Sequence, residues 1–275
     1  MPWQDRARFA LLLALIGGSY WPTLRELVSV WRMDLDNSAG QVVPLVALYA
    51  VWLKQRSMQD VPVRICWWGL AAIAGTQMAR LAGVLMLSRS LEFYSLVLTV
   101  HAAVLLLFGP AVVRRLAWVL VLLLLAVPLP ARVHAELLGP LQTFATASAV
   151  VGLTLLGHIV QREGNVLQLN EQASMAVVEA CSGLRMLTAF VIVGATLCFM
   201  GHRPAWQNVV LMLATLPVAV LANTLRLVAT ALVFDQYGTE AGERFFHGFA
   251  GLTMMPFAIA VLLGLLWAMR RGETT

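Results

Sequence analysis

Long charge-free windows alternate with short polar segments along almost the whole chain. They run over Phe9–Leu24, Asn37–Leu53, Ile65–Ala79, Phe93–Val113, Leu116–Ala131, Leu137–Gln161, Met186–His202, Pro204–Leu225 and Phe245–Met269. A helix needs about 20 mostly apolar residues to cross the hydrocarbon core of a bilayer, and most windows approach that length. Nine crossings, however, scatter the basic doublets over both sides. If Arg6 and Arg8 lie inside, then Lys54/Arg56 and Arg114/Arg115 do too, but Arg203 and Arg270/Arg271 join them only if one later window fails to cross. The best choice is Leu137–Gln161, which is rich in Thr, Ser, Gly and Gln. Leu137, Leu141, Phe144, Val151 and Leu155 share one face at helical spacing, with Ser148 the polar exception, as in an interfacial or re-entrant helix. One stretch, residues 165–180, instead alternates apolar and polar positions, which predicts a short outer β-hairpin turning at Asn170–Ser174. The expected fold is an all-α integral membrane protein. It has about eight transmembrane helices, one interfacial or re-entrant helix and that hairpin, in a single multi-span domain over residues 1–275.

Composition agrees. Of 275 residues, 60% are hydrophobic and 12% charged, where a soluble domain carries about 25% charged residues. Mean hydropathy is +0.80. The net charge of +5 comes from single or paired basic residues with no run of five. That excludes a nucleic-acid arm and leaves topology anchoring. Arg6 and Arg8 precede an apolar stretch that lacks a small-x-small cleavage site, so an uncleaved first helix is expected. Three cysteines are too few for a disulfide framework, and no CxxC pair offers a metal site. Cys66 and Cys198 sit in apolar runs and read as small core hydrophobes. Only Cys181 has polar neighbours.

In "VVEACSGLRM" the thiol of Cys181 stands between Glu179 and Arg185 where a helix is expected to begin near Ser182 or Gly183. The positive end of a helix dipole and a nearby cation both favour thiolate, the nucleophilic form. Taken alone, Cys181 equally fits an inert boundary cysteine. In "LANTLRLVATALVF" Asn223 and Arg226 stand three apart on one helix face, at the end of a long apolar run. Such an arginine meets water, a partner or a substrate, or it snorkels to the interface. In "ERFFHGFAG" His247 opens the last span, as a proton shuttle or as an ordinary interface histidine. The topology above brings all three to the outer boundary. A thiol, an imidazole and a guanidinium there can supply nucleophile, acid/base and anion stabiliser for acyl transfer on a peptide or ester bond. Glu179 and Arg185 can support that site by pairing or by binding substrate. They equally fit a solvated loop charge and a snorkelling helix end.

These stretches, with "VPLP", "PLQTFAT" and "GHIVQREGN" upstream, resemble the exosortase/archaeosortase family of integral membrane transpeptidases over residues 30 to 265. The resemblance implies Cys181 as nucleophile, Arg226 as its electrostatic partner and His247 as acid/base, in a catalytic half of about residues 127–270, with no cofactor and no metal. It also implies exported protein substrates with a C-terminal signal of the Pro-Glu-Pro type, a transmembrane span and a basic tail. The enzyme would then lie in the bacterial inner membrane with its active site on the periplasmic face, and it would have no nucleic-acid partner. Family members typically read Ser-His-Gly before the second span; here Ala39 stands at the histidine position. Three rivals remain at this stage. One is a membrane peptidase that uses water as acceptor. Another is a transporter with Arg80 and Arg226 in its path, and the third is a scaffold in polysaccharide export.

Overall fold

The computed structural model describes residues 10–11, 14–34, 37–55, 58, 60–169, 173–176, 184–200, 203–245 and 251–271. The chain divides into two compact units, Met1–Ala131 and Arg132–Thr275.

In the first unit, helical residues 14–19 lead through Tyr20 into α1 (Trp21–Met33). A short 3-10 turn, Ser38–Gln41, introduces α2 (Val42–Lys54); α3 (Trp68–Leu85) and α4 (Arg89–Leu124) follow. Gly40 lies so close beneath Trp31 that a Cβ would come 2.6 Å from the indole Nε1 and 2.9 Å from the Ala126 carbonyl oxygen. The indole in turn donates to that carbonyl at 2.9 Å. A polar knot ties the helices together. The Tyr20 hydroxyl lies 3.0 Å from Thr99 Oγ1, which donates to the Ser95 carbonyl, and Gln77 Nε2 donates to the Tyr20 hydroxyl at 3.1 Å. Arg80 donates to the Ser19 hydroxyl and carbonyl and stacks 4.1 Å from the centre of the Tyr20 ring. A guanidinium so engaged is a structural clasp, so Arg80 no longer speaks for a transport path.

Helix α4 is two helical arms. Gly109 has φ 81° and ψ 176°, a conformation open essentially only to glycine. Pro110 has no N–H to give to the Leu106 carbonyl. The extended segment before α3 takes up the released groups: the Cys66 N–H donates to Leu106 O at 3.0 Å and the Arg64 N–H to Phe108 O at 3.5 Å. The arms fold back on each other. The ring nitrogens of His101, on the first arm, lie 2.7 Å from Val97 O and 2.9 Å from Leu120 O on the second. Two spans were expected here, parted at Arg114/Arg115. The break falls at Gly109–Pro110 because backbone chemistry sets it, while the arginine pair lies in the second arm. Cys66 likewise sits half-buried in the extended segment instead of a helix core.

The second unit holds α5 (Ala131–Leu155), β1 (Val160–Glu163), β2 (Val166–Leu169), β3 (Ala173–Ala176), α6 (Leu184–Met200), α7 (Ala205–Arg244) and α8 (Gly251–Arg271). The left-handed Gly157 ends α5, with the His158 N–H donating to Leu153 O, five residues back, at 3.1 Å. The apolar face expected to rest on the membrane surface is exposed at Leu137, Phe144, Val151 and Leu155, whereas Ala145, Thr146, Ala149 and Leu153 are buried. A protein-facing side of mostly small residues and an outward side of large apolar ones suit a lipid-embedded helix. The Ser148 hydroxyl is satisfied by the Phe144 carbonyl at 2.8 Å. At 25 residues α5 is long and apolar enough to cross a membrane, which removes the compositional ground for an interfacial or re-entrant placement. So are Arg89–Leu124 and Ala205–Gly238, while Ser38–Lys54, Leu184–Phe199 and Ile259–Met269 are shorter apolar helices.

The hairpin is one part of a three-stranded antiparallel sheet in the order β1-β2-β3. The expected pairing of β2 with β3 is present, with Val166 opposite Ala176 and Leu169 opposite Ala173. Ser174 is a strand residue, not part of the turn. Strand β1 was not expected, because "VQRE" has no apolar alternation. Its signal is the two-residue Gly164–Asn165 turn, with Gly164 at φ 61°. Leu167 and Leu169 point inward onto Ala145, Ala149 and Leu153 of α5 and Leu227, Ala231 and Phe234 of α7. A second core joins α6, α7 and α8 through Met186, Phe190, Leu211, Ala222 and Leu262.

Candidate functional site

Helix α7 carries Asn223 and Arg226, two of the three candidate site residues that the structure describes. The span was expected to end at Leu225, with Arg226 at its boundary on the same helix face as Asn223. It continues to Gly238, where φ 82° and ψ 177° break it. The charge does not end the helix because the helix itself shelters it: Arg226 is 3% exposed, and its Nη2 donates to Asn223 Oδ1 at 2.8 Å. A buried charge-assisted bond of this kind holds a guanidinium in one orientation. The free-ended, snorkelling arginine is therefore excluded. Rising about 1.5 Å per residue, α7 places Arg226 roughly 30 Å from its start, close to one hydrocarbon thickness. The helix then runs about 18 Å further to Gly238.

Arg226 belongs to a buried polar stripe on α7 that also contains Thr215, Asn223 and Thr230. Thr230, one turn beyond Arg226, was missed by sequence reasoning. It is 0% exposed, and among the described residues its Oγ1 makes no hydrogen bond. A buried hydroxyl without a partner costs about 1–3 kcal/mol. The signal that could have found it is the spacing Thr215, Ala219, Ala222, Arg226, Thr230, a small and polar face inside an apolar helix.

Asn223 also lines a small, partly open, mostly apolar cleft between α5, α6 and α7, with Leu141, Phe144, Ala145, Leu187 and Ala219 among its walls. Its polar lining is Asn223 and Thr224, and the first of these holds Arg226. Arg185 lies in the first turn of α6, half-buried, its carbonyl accepting from the Thr188 hydroxyl at 2.9 Å. Leu184 opens the described part of α6, three residues past Cys181. Cys181, Glu179 and His247 lie outside the described residues.

His158 Nδ1 lies 3.4 Å from the Asp235 carboxylate, joining the strap after α5 to the part of α7 beyond Arg226.

A multi-pass membrane protein with a sheltered Asn-x-x-Arg pair, its asparagine lining an apolar cleft, is the class that fold and site define. The family comparison narrows it: the model of the transmembrane exosortase family (Exosortase_EpsH) matches residues 31–264, and the chain belongs to that family. Exosortases are membrane cysteine transpeptidases that act in protein sorting. No curated protein and no solved structure matches the chain.

Proposed function

We propose that the protein is a cysteine transpeptidase of the bacterial inner membrane that cleaves a C-terminal sorting signal on exported proteins at the periplasmic face. Cys181, as thiolate, attacks the scissile carbonyl carbon. A thioester forms, the C–N bond breaks, and the leaving amine takes a proton from His247. An acceptor nucleophile then attacks the thioester and releases the thiol. Arg226 stabilises negative charge on the thiolate or the oxyanion. Glu179 and Arg185 support the segment that carries the nucleophile. Substrates of this kind carry a Pro-Glu-Pro-type signal, a span and a basic tail.

The observation that carries the reading is the Arg226–Asn223 pair. A guanidinium buried in an apolar helix and bonded to a neighbouring amide is expensive for stability alone and suited to an anionic intermediate. Family membership supplies the reaction class.

The test is mass spectrometry of a co-expressed protein bearing such a signal, with wild-type enzyme and with Cys181→Ala. Cleavage that requires Cys181 and leaves an added mass on the new C-terminus is expected. Cysteine-dependent cleavage that leaves a free carboxylate would make the enzyme a peptidase. Cleavage unchanged by Cys181→Ala would refute the reading.

A further inference from the structure

One end of the first unit gathers cations and indoles from three separate segments. The Lys54 ammonium, at the end of α2, donates to the Arg115 carbonyl at 3.1 Å. The Arg64 backbone is joined to Phe108, beside the Gly109 turn, five residues before Arg114. Those contacts bring Lys54, Arg64, Arg114 and Arg115 to the same end of the α2–α3–α4 packing. Arg64, Arg114 and Arg115 are exposed, and among the described residues none of them forms an ion pair. Asp60 is the acidic side chain described in the connection between α2 and α3. Indoles stand at the same end: Trp67 and Trp68 are 75% and 79% exposed at the start of α3, and Trp52 and Trp118 are also exposed. Trp52 stacks on Tyr49 with ring centres 5.8 Å apart.

A watery surface suits the guanidiniums and not four exposed indoles, while hydrocarbon suits the indoles and not the guanidiniums. The headgroup layer accommodates both. Unneutralised arginines within it require anions there. We propose that this end is a binding surface for anionic phospholipid headgroups, with Arg64, Arg114 and Arg115 engaging lipid phosphates and Trp52, Trp67, Trp68 and Trp118 seating at the glycerol level. The cluster is held in place by backbone contacts. It therefore selects anionic over zwitterionic lipid at this leaflet independently of the sorting reaction.

The full-length chain in mixed vesicles, probed with spin-labelled phosphatidylglycerol and phosphatidylcholine, tests this by the ratio of their association constants. A single Lys or Arg near an anionic surface is worth about fivefold in partitioning. The wild-type ratio should therefore fall by roughly tenfold or more in an R64Q/R114Q/R115Q variant, and be kept in R64K/R114K/R115K. A wild-type ratio of one, as expected if this face serves an acidic protein partner, overturns the proposal, as does a ratio unchanged by the glutamine substitutions. If the glutamine variant fails to fold, the wild-type chain still decides the matter. Selectivity should collapse between about 0.05 and 0.5 M salt as the screening length shrinks to a few ångströms, and salt-insensitive selectivity refutes it.

Discussion

Gly109→Ala probes the turn that organises the first unit. At φ 81° and ψ 176° a side chain is strained whatever the space around it, and the new Cβ would sit 2.6 Å from the Arg64 carbonyl oxygen. Backbone strain of this kind costs about 1–3 kcal/mol. The Arg64 carbonyl is backbone, so relief requires the extended segment to move. That movement loosens the Cys66 N–H bond to Leu106 O, worth about 1 kcal/mol. The expected loss is about 2–4 kcal/mol, combining those two contributions. Gly75→Ala, on α3 with nothing within 4 Å of the added methyl, is the control. It should be neutral or stabilising by up to about 1 kcal/mol, because alanine is the better helix residue. Equilibrium unfolding of the full-length chain in detergent micelles, followed by tryptophan fluorescence, reads both. If Gly109→Ala unfolds within about 0.5 kcal/mol of wild type, the ordinary range for a surface change, the turn and its contact with Arg64 are wrong.

Thr230→Val removes a buried hydroxyl that makes no hydrogen bond among the described residues, so unfolding should show equal or greater stability, by up to about 1 kcal/mol. Substrate cleavage measured in parallel should fall if the hydroxyl serves the site, with Thr230→Ser retaining activity. Asn223→Ala takes the amide from the Arg226 guanidinium and should cost about 1.5–3 kcal/mol, the worth of a hydrogen bond to a charged group. Arg226→Lys keeps the charge but not the planar fork. It should lower cleavage at least about tenfold in a gel-based assay while the chain still folds. Leu167→Ala empties a fully buried position between α5 and α7 and should destabilise the chain by about 2–5 kcal/mol in the same unfolding experiment.

The sequence by itself determined the membrane character, the mostly helical fold, the β2–β3 pairing and the family, because each is written locally. Apolar windows, alternation and short motifs survive without knowledge of the fold. It also placed Lys54 with Arg114/Arg115 on one side, and the Lys54–Arg115 contact agrees. The places where spans end were decided elsewhere. A charge was read as a boundary at Arg114/Arg115 and at Leu225, yet helices stop where backbone geometry stops them, at Gly109 and Gly238. They pass through a charge when a neighbour three residues back can shelter it, as Asn223 shelters Arg226. The apolar face of α5 was read as meeting the membrane, and Leu137, Phe144, Val151 and Leu155 on it are exposed. Which residues of the opposite face pack on protein, Ala145, Thr146, Ala149 and Leu153, was decided only by the tertiary structure. The strand β1, the burial of Thr230 and the Arg64–Phe108 contact depend on residues brought together from distant parts of the chain, and only tertiary packing could reveal them.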